Sequence, residues 1–240
     1  MQEALLKAVW MLIGLSSLTG CVGPGISGLQ YQGPTADERV KNEVLIHQPF
    51  DATWDALIGQ LAKSFFVINN VEKASRIINI SFSTDKPEEY VDCGVSERIF
   101  SYRNQKANYT YPVSGSNLYK YAGTWGPYQN LPYVASVMRK TNLEGRINVY
   151  VAPKENETLV TVNTRYLLTI RAGGQAEFAN SLGTVVDRQN VVSEPVTVSF
   201  NTGQTAIADE PVHGPGQFKC RSNGSLEAEI LKMPKKLQAF

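Results

Sequence analysis

Hydrophobic residues recur at helical spacing in one stretch of the chain and at alternate positions in several others. After Asp51, a residue type favoured at helix N-termini, apolar residues follow at positions i, i+3, i+4, i+7 and i+11: Trp54, Leu57, Ile58, Leu61 and Phe65. This pattern predicts an amphipathic helix from about Ala52 to Ser64. The indole of Trp54 is expected in the core.

Alternating patterns on both sides of this helix predict strands. Residues 44–47 precede the helix, and Phe66 begins an apolar segment after it. Ile78, Ile80 and Phe82 then alternate with polar residues, which is typical of a half-buried antiparallel strand. The order strand, helix, strand, strand requires the helix to lie across one face of a sheet.

The β pattern becomes stronger from Leu143 onward. One set of apolar residues shares a face before a polar turn at residues 154–157: Ile147, Val149 and Val151. A second set follows the turn: Val160, Val162, Tyr166, Leu168 and Ile170. Together they predict a long hairpin that ends at Gly173-Gly174. A further strand is expected at 196–200, and a strand or short helix at 225–232. The predicted fold class is α+β, a mostly antiparallel sheet with one main amphipathic helix packed on it.

Residues 100–142 have poor periodicity and are rich in tyrosine. We interpret them as an insertion, because long irregular connections are uncommon and are often functional. Tyrosine is enriched in binding surfaces, so the candidate partner-binding residues are Tyr109, Tyr111, Tyr119, Tyr121, Trp125 and Tyr128. In that interpretation Tyr119 and Tyr121 are exposed. The favoured interpretation, however, is that the rings pack onto their own domain, and the partner or glycan surface is the alternative.

The N-terminus carries an apolar stretch from Ala8 to Leu18 that is too short to span a bilayer, which takes roughly 20 residues. It fits the apolar region of a secretory signal. The following residues Leu18-Thr19-Gly20-Cys21 resemble the lipobox of bacterial lipoproteins. The resemblance implies cleavage before Cys21 and a lipid on its thiol, with acyl chains such as palmitate. Val22 replaces the Asp that favours inner-membrane retention in that family, which implies the periplasmic face of the outer membrane and makes the inner membrane the less favoured location.

Two further cysteines, Cys93 and Cys220, are expected to form a disulfide, because an exported chain folds in an oxidising compartment. The chain-entropy model gives such a long loop about 4–5 kcal/mol of stabilisation. The alternative is a nucleophilic cysteine, which needs a histidine partner. Neither His47 nor His213 lies in a recognisable motif.

The stretch "PFDATWDALIGQLAKSFFVINNVEKASRIINISFS" resembles the repeated small domain of BamC-type lipoproteins, which belong to the outer-membrane β-barrel assembly machine. Pro-Phe-Asp, a tryptophan, a helix and two strands carry the likeness, which covers roughly 40 residues. The resemblance implies a helix-on-sheet packing motif and says more about fold than about function.

Composition excludes several function classes. The 23 Lys+Arg and 22 Asp+Glu residues give a net charge of +1, so no nucleic-acid partner is expected. Two separated histidines make a zinc site improbable, and no catalytic residues, metal or cofactor are expected. The predicted organisation is a signal peptide at 1–20, a flexible tether at 21–38, a helix-on-sheet module at 39–99, the Tyr-rich insertion at 100–142, a β-rich part of the same domain at 143–232 and a tail at 233–240.

The favoured function is a non-enzymatic, lipid-anchored periplasmic subunit, structural or accessory, of an outer-membrane assembly, secretion or pilus complex. Its partners would be the membrane, through the lipid anchor, and other envelope proteins. The alternative is a periplasmic enzyme, or a lipoprotein that binds a small ligand or glycan through the Tyr-rich segment.

Overall fold

The computed structural model describes residues 25–35, 39–125, 131–211 and 216–234. Strands make up 62% of the structure and helices only 13%. The protein is therefore a largely β fold with two short helices, and the α+β prediction with one main helix is wrong. The physical reason is that segments without a clear alternating pattern also find strand partners.

The strands of the described residues are β1 (Ile26–Gln32), β2 (Glu43–Ile46), β3 (Val67–Glu72), β4 (Ile77–Thr84), β5 (Val91–Asp92), β6 (Val95–Tyr102), β7 (Gln105–Pro112), β8 (Asn117–Trp125), β9 (Leu131–Lys154), β10 (Glu157–Ala179), β11 (Val185–Val192), β12 (Val196–Asn201), β13 (Thr205–Asp209) and β14 (Gln217–Ser222). The helices are α1 (Phe50–Leu61) and α2 (Ser225–Lys232), and Pro87–Glu89 forms a 3-10 turn. Within the described ranges, neither helix is long and apolar enough to cross a membrane.

A long antiparallel hairpin of β9 and β10 organises the molecule. The two strands pair continuously from Glu157 opposite Lys154 to Phe178 opposite Tyr133. The central sheet has the order β11-β10-β9-β4-β3, while β2 and β12 also pair with β10, and β8 also pairs with β9. The predicted hairpin is thus confirmed, but Gly173-Gly174 does not end it. A Cβ on Gly174 would lie 1.9 Å from the Ser136 carbonyl oxygen, so glycine lets the strands continue at close approach.

One face of this hairpin forms the core. Its predicted apolar positions are 0–1% exposed, namely Ile147, Val149, Val151, Val160, Val162, Tyr166, Leu168 and Ile170. Two smaller sheets, β1-β6-β7 and β13-β14-β5, occur beside the central sheet. Sheet β1-β6-β7 contacts β8, whereas α1 and α2 pack on β9 and β10. The buried face therefore requires several separate pieces of chain to cover it.

Helix α1 packs with the predicted stripe toward the sheet. Trp54 is 4% exposed, and Leu57 and Leu61 are fully buried. The helix begins two residues before the predicted start and ends three before the predicted end, with Pro49 at the N-cap position. Phe65 lies beyond its end and is exposed. The stripe is a packing feature, as its periodicity predicted.

Two predicted irregular segments are strands. The expected flexible tether contains β1, which pairs with β6 from Ile26 opposite Ser101 to Gln32 opposite Val95. The expected Tyr-rich insertion contains β7, β8 and the start of β9. Both segments gain backbone hydrogen bonds from strands that are distant in sequence, which local patterns do not reveal.

The predicted Cys93–Cys220 disulfide is present, with a sequence separation of 127. Both cysteines are buried. Cys220 lies on β14, and Cys93 directly follows β5 of the same sheet, so the bridge fixes to β14 the point where the chain leaves for β6 of the other smaller sheet. The hydroxyl of Tyr31 on β1 reinforces this junction, because it accepts a hydrogen bond from the Lys219 backbone N–H at 2.9 Å.

Replacing Trp54 by Ala should lower the free energy of unfolding by about 3–5 kcal/mol, because the indole leaves a cavity under α1. Asp55→Ala on the exposed side of the same helix is the control and should change it by about 0.5 kcal/mol or less. Urea denaturation measures both. Equal losses for the two variants would mean that the stripe does not carry the packing.

Candidate functional site

The predicted partner-binding tyrosines do not form one exposed surface. Tyr111, Tyr119 and Tyr121 are 3%, 0% and 6% exposed, so the expectation that Tyr119 and Tyr121 are exposed is wrong. Tyr109 is half-buried. Trp125 ends β8, but its side chain and all of Tyr128 lie outside the described residues.

The buried tyrosines surround an arginine on β6. The Nε of Arg98 donates a hydrogen bond to the Tyr111 hydroxyl at 2.6 Å. The guanidinium carbon of Arg98 lies 4.1 Å from the centre of the Tyr119 ring, within the range of a cation–π interaction. The rings of Tyr111 and Tyr119 are parallel within 2°, with centres 5.9 Å apart. Arg98 therefore holds the tyrosines of β7 and β8 in one arrangement.

A second arginine and a carboxylate complete this cluster. Arg139 on β9 has no exposed surface, and its Nη1 donates a hydrogen bond to the Gly115 carbonyl oxygen at 2.7 Å. Oε1 of Glu210 lies 3.3 Å from Nη2 of Arg98 and 3.6 Å from Nε of Arg139. We call Arg98, Tyr111, Tyr119, Arg139 and Glu210 the arginine cluster. Two cations share one carboxylate, which leaves the cluster with a net charge of +1.

The surroundings of the arginine cluster favour neutral phenols, and they act in opposite directions on the pKa values of its two arginines. Burial raises the pKa of Tyr119, and Arg98 offsets this only in part. Burial lowers the pKa of Arg139, while Glu210 acts in the opposite direction. Burial also acts to lower the pKa of Arg98, but Tyr119, Tyr111 and Glu210 together raise it. Such groups do not exchange protons near neutral pH, so the cluster is suited to fixing a conformation.

Hydrogen bonding in the cluster is incomplete. Nε and Nη2 of Arg139 are buried, and neither has a hydrogen-bond partner among the described residues. A buried guanidinium N–H group without an acceptor lowers the stability of the fold. Glu210 is thus the group that makes burial of Arg139 tolerable.

A second polar cluster anchors helix α2. Glu227 in its first turn is fully buried and accepts hydrogen bonds from Tyr166 at 2.8 Å, Thr202 at 2.7 Å and Ser222 at 3.1 Å. Burial is the main cause that raises the pKa of Tyr166. Ser222 is itself buried, so the pair of Ser222 and Glu227 is not accessible as a nucleophile and base. The hydrogen bond from Tyr166 to Glu227 attaches α2 to β10.

The residues considered for catalysis or metal binding lie apart. Nδ1 of His47 contacts the Glu157 carboxylate at the surface, whereas His213 and Cys21 lie outside the described residues. Cys93 and Cys220 are bonded to each other. In the described ranges, no three His, Cys, Asp or Glu residues are grouped so that they could hold a metal ion.

Sequence reasoning missed the arginine cluster. Its local signal was weak but present, since Arg98 occupies an inward position of the alternating series Ser96, Arg98, Phe100 and Tyr102, all of which are buried. A buried arginine requires a partner, and Glu210 is 112 positions away in sequence. Nothing local identifies that partner.

Comparisons of the chain with models of protein families, with curated proteins and with solved structures found no match.

Replacing Glu210 by Gln should lower the free energy of unfolding by about 3–5 kcal/mol, because two buried guanidinium groups lose their carboxylate. The control is Glu177→Gln, which removes the carboxylate that contacts Arg188 at 2.9 Å between exposed side chains. Exposed pairs contribute about 0–1 kcal/mol. Chemical denaturation distinguishes the two, and a small effect at Glu210 would show that water or ions already neutralise the cluster.

Proposed function

We propose that the chain is a lipid-anchored structural or accessory subunit of a cell-envelope complex and that it is not an enzyme. Its location would be the periplasmic face of the outer membrane, with the anchor on Cys21. The lipobox-like residues Leu18-Thr19-Gly20-Cys21 and the resemblance of residues 49–83 to the BamC-type domain support this proposal. Its partners would be the lipid bilayer and other envelope proteins.

The buried Cys93–Cys220 disulfide is the structural observation that carries the proposal. Disulfides persist in oxidising compartments such as the bacterial periplasm and are rare in the cytosol. The bridge fixes two small sheets whose own cores are limited, and it closes a long loop. A chain that relies on such a bond is suited to the envelope.

The alternative function, an enzyme or a binder of a small ligand or glycan, has less support. It would use the Tyr-rich segment, yet the rings of Tyr111, Tyr119 and Tyr121 are buried and contact protein groups. Aromatic rings that bind sugars or other flat ligands need an exposed face. Among the described residues of the Tyr-rich segment, Tyr109 and Tyr133 are only partly buried and are the rings that such a ligand could contact.

The outer face of the β9–β10 hairpin is a candidate surface for a protein partner. Lys140 lies directly opposite Arg171, and Arg146 lies directly opposite Arg165. Like charges directly across a sheet are destabilising. With Lys154, this face carries five cations against three acids, Glu144, Glu157 and Glu177, which leaves an excess of positive charge on the hairpin.

An apolar row runs beside these cations. In register across four strands lie Leu118, Met138, Gly173 and Val192. Leu118, Met138 and Val192 are 55%, 44% and 82% exposed. Met138 and Val192 also line a shallow groove of about 580 Å³ on this side. Exposed apolar residues rimmed by charge are typical of protein interaction sites, and the cations fit an acidic surface on another envelope protein.

Replacing Cys21 by Ser should move the protein out of the washed membrane fraction or leave an uncleaved precursor, because the acceptor thiol is gone. Fractionation after a high-salt wash, followed by immunoblotting, measures this. Mass spectrometry of the mature wild-type N-terminus provides the direct check of acylation. A Cys21→Ser variant of mature size that stays with the washed membranes would contradict the lipid anchor.

The double substitution Lys140→Glu/Arg171→Glu should weaken association with the partner about tenfold or more, because it places like charges across the interface. Association is measured by affinity purification from solubilised membranes with quantitative mass spectrometry. Lys41→Glu/Lys63→Glu makes the same change in net charge at exposed lysines elsewhere and serves as the control. If both variants retain the same amount of partner protein, this face is not the binding surface. A chain that purifies without any partner in every case would contradict the proposed function as a subunit.

A further inference from the structure

The chain between the proposed lipid site and the fold is short. Sequence patterns predicted a flexible tether over residues 21–38, but β1 already begins at Ile26. Only four peptide steps separate Cys21 from Gly25, and an extended chain covers at most about 3.3–3.6 Å per residue. The Cα atom of Cys21 can therefore lie no more than about 14 Å from that of Gly25.

Gly25 occupies a fixed place on the molecule. A Cβ on this residue would lie 2.4 Å from the Cβ of Ala122 on β8 and 3.0 Å from the ring of Tyr102 on β6. The Ser27 hydroxyl accepts a hydrogen bond from the Ala122 backbone N–H at 2.7 Å. The start of β1 is thus held against β6 and β8, and an anchor on Cys21 must remain close to this place.

The ends of several strands lie near Gly25. Tyr102 pairs with Gln105 across the β6–β7 turn. Strand β8 reaches its last pair with β9 three residues after Ala122, at Trp125 opposite Leu131. Strand β10 ends there as well, because Phe178 lies opposite Tyr133. We call this part of the molecule the hairpin-tip end and define it by residues 25–27, 100–107, 120–122, 133–136 and 177–188.

The hairpin-tip end presents apolar residues to solvent. Leu182 in the β10–β11 turn is 87% exposed, and Ile26 is 67% exposed. Val185 and Val186 at the start of β11 are also exposed. In the fold alone, the side chain of Leu182 remains largely in contact with water. Its insertion into an apolar layer would lower the free energy, because apolar surface is then removed from water.

The charge of the hairpin-tip end is positive. It carries four cations, Arg103, Lys106, Lys120 and Arg188, against two acids, Glu177 and Asp187. The net charge of this end is therefore +2. Arg188 is paired with Glu177, so Arg103, Lys106 and Lys120 supply most of the available positive charge.

A groove of about 410 Å³ lies between the β6–β7 and β10–β11 turns. Arg103 and Lys120 are among its lining residues. Nη2 of Arg103 donates a hydrogen bond to the Asn180 carbonyl oxygen at 2.9 Å, which ties the two turns together. Tyr102 also lines the groove, and its hydroxyl is buried without a hydrogen-bond partner among the described residues. Glu177 lines the groove as well, but its carboxylate is paired with Arg188. Arg103 and Lys120 therefore leave the groove with an excess of positive charge, which suits a phosphate group.

We propose that the hairpin-tip end docks on the headgroup layer of the membrane that holds the anchor, with Leu182 entering the interface and an anionic phospholipid headgroup bound at the groove. The proposal rests on the proposed anchoring through Cys21. Because the link is at most about 14 Å long, the anchored fold cannot move away from the bilayer. Apolar residues combined with basic residues are the composition that binds interfaces of anionic lipid.

The test places a reporter on the docked end of the full-length acylated protein. With Cys21 acylated and Cys93 bonded to Cys220, the variant Leu182→Cys has a single free thiol for an environment-sensitive fluorophore. The labelled protein is reconstituted into vesicles of phosphatidylcholine and phosphatidylglycerol that carry brominated acyl chains. The control label is at Ile207→Cys on β13, a 56% exposed residue on the other smaller sheet.

We expect the bromine to quench the label at residue 182 and to leave the label at residue 207 unquenched. Lys106→Glu/Lys120→Glu should reduce quenching at residue 182, since each lysine near an anionic leaflet favours the docked state about fivefold. Lys41→Glu/Lys63→Glu, with the same change in charge, should leave quenching unchanged.

Vesicle flotation separates the two ways in which the proposal can fail. If the protein floats with the vesicles but the label at residue 182 is not quenched, the docking proposal is wrong and the anchor stands. A label on the outer hairpin face, at Met138→Cys, that is quenched in place of residue 182 would show that the membrane contacts that face. A mature wild-type protein that does not float contradicts the anchor itself, and the docking proposal falls with it.

Discussion

The structure depends on the continuous pairing of β9 with β10. These strands are 24 and 23 residues long, and one face of the hairpin is apolar along much of that length. An apolar sheet face must be covered to be stable, and one helix of 12 residues cannot cover it. The need to cover this face explains why two small sheets and a second helix pack on the hairpin.

The covering pieces are small, so their positions are fixed by specific polar and covalent contacts. The Cys93–Cys220 bridge fixes to β14 the link that connects the two smaller sheets, between β5 and β6. The arginine cluster links β6, β7, β9 and the chain just after β13 through a carboxylate shared by two cations. Buried charges contribute little net stability when they are paired, but they strongly disfavour arrangements in which one partner is missing. We therefore interpret the cluster as a device that selects one arrangement of the covering sheet.

The parts of the fold that the sequence predicted are those with a local signal. Helix α1, β4 and the inward residues of the β9–β10 hairpin follow from the spacing of apolar residues. The fold class did not follow, because residues 100–142 were interpreted as an irregular insertion, although Tyr119 and Tyr121 on β8 have the period-2 spacing of a strand. Strand β1 also has no clear pattern, and it forms because β6 supplies its hydrogen bonds.

In the candidate site, too, features with a signal in the sequence were predicted and contacts between distant residues were not. The disulfide followed from the number of cysteines and the expected compartment, whereas Arg98 and Glu210 are far apart in sequence and nothing local pairs them. The short link between Cys21 and Gly25 has the largest consequence for the proposed function, because it changes the relation to be expected between the fold and the bilayer under the proposed anchoring. A long tether would leave the orientation of the molecule free. With the proposed lipid on Cys21, a link of at most about 14 Å would favour the hairpin-tip end, and the outer face of β9–β10, which starts at that end, would remain open along its length to the proposed protein partner.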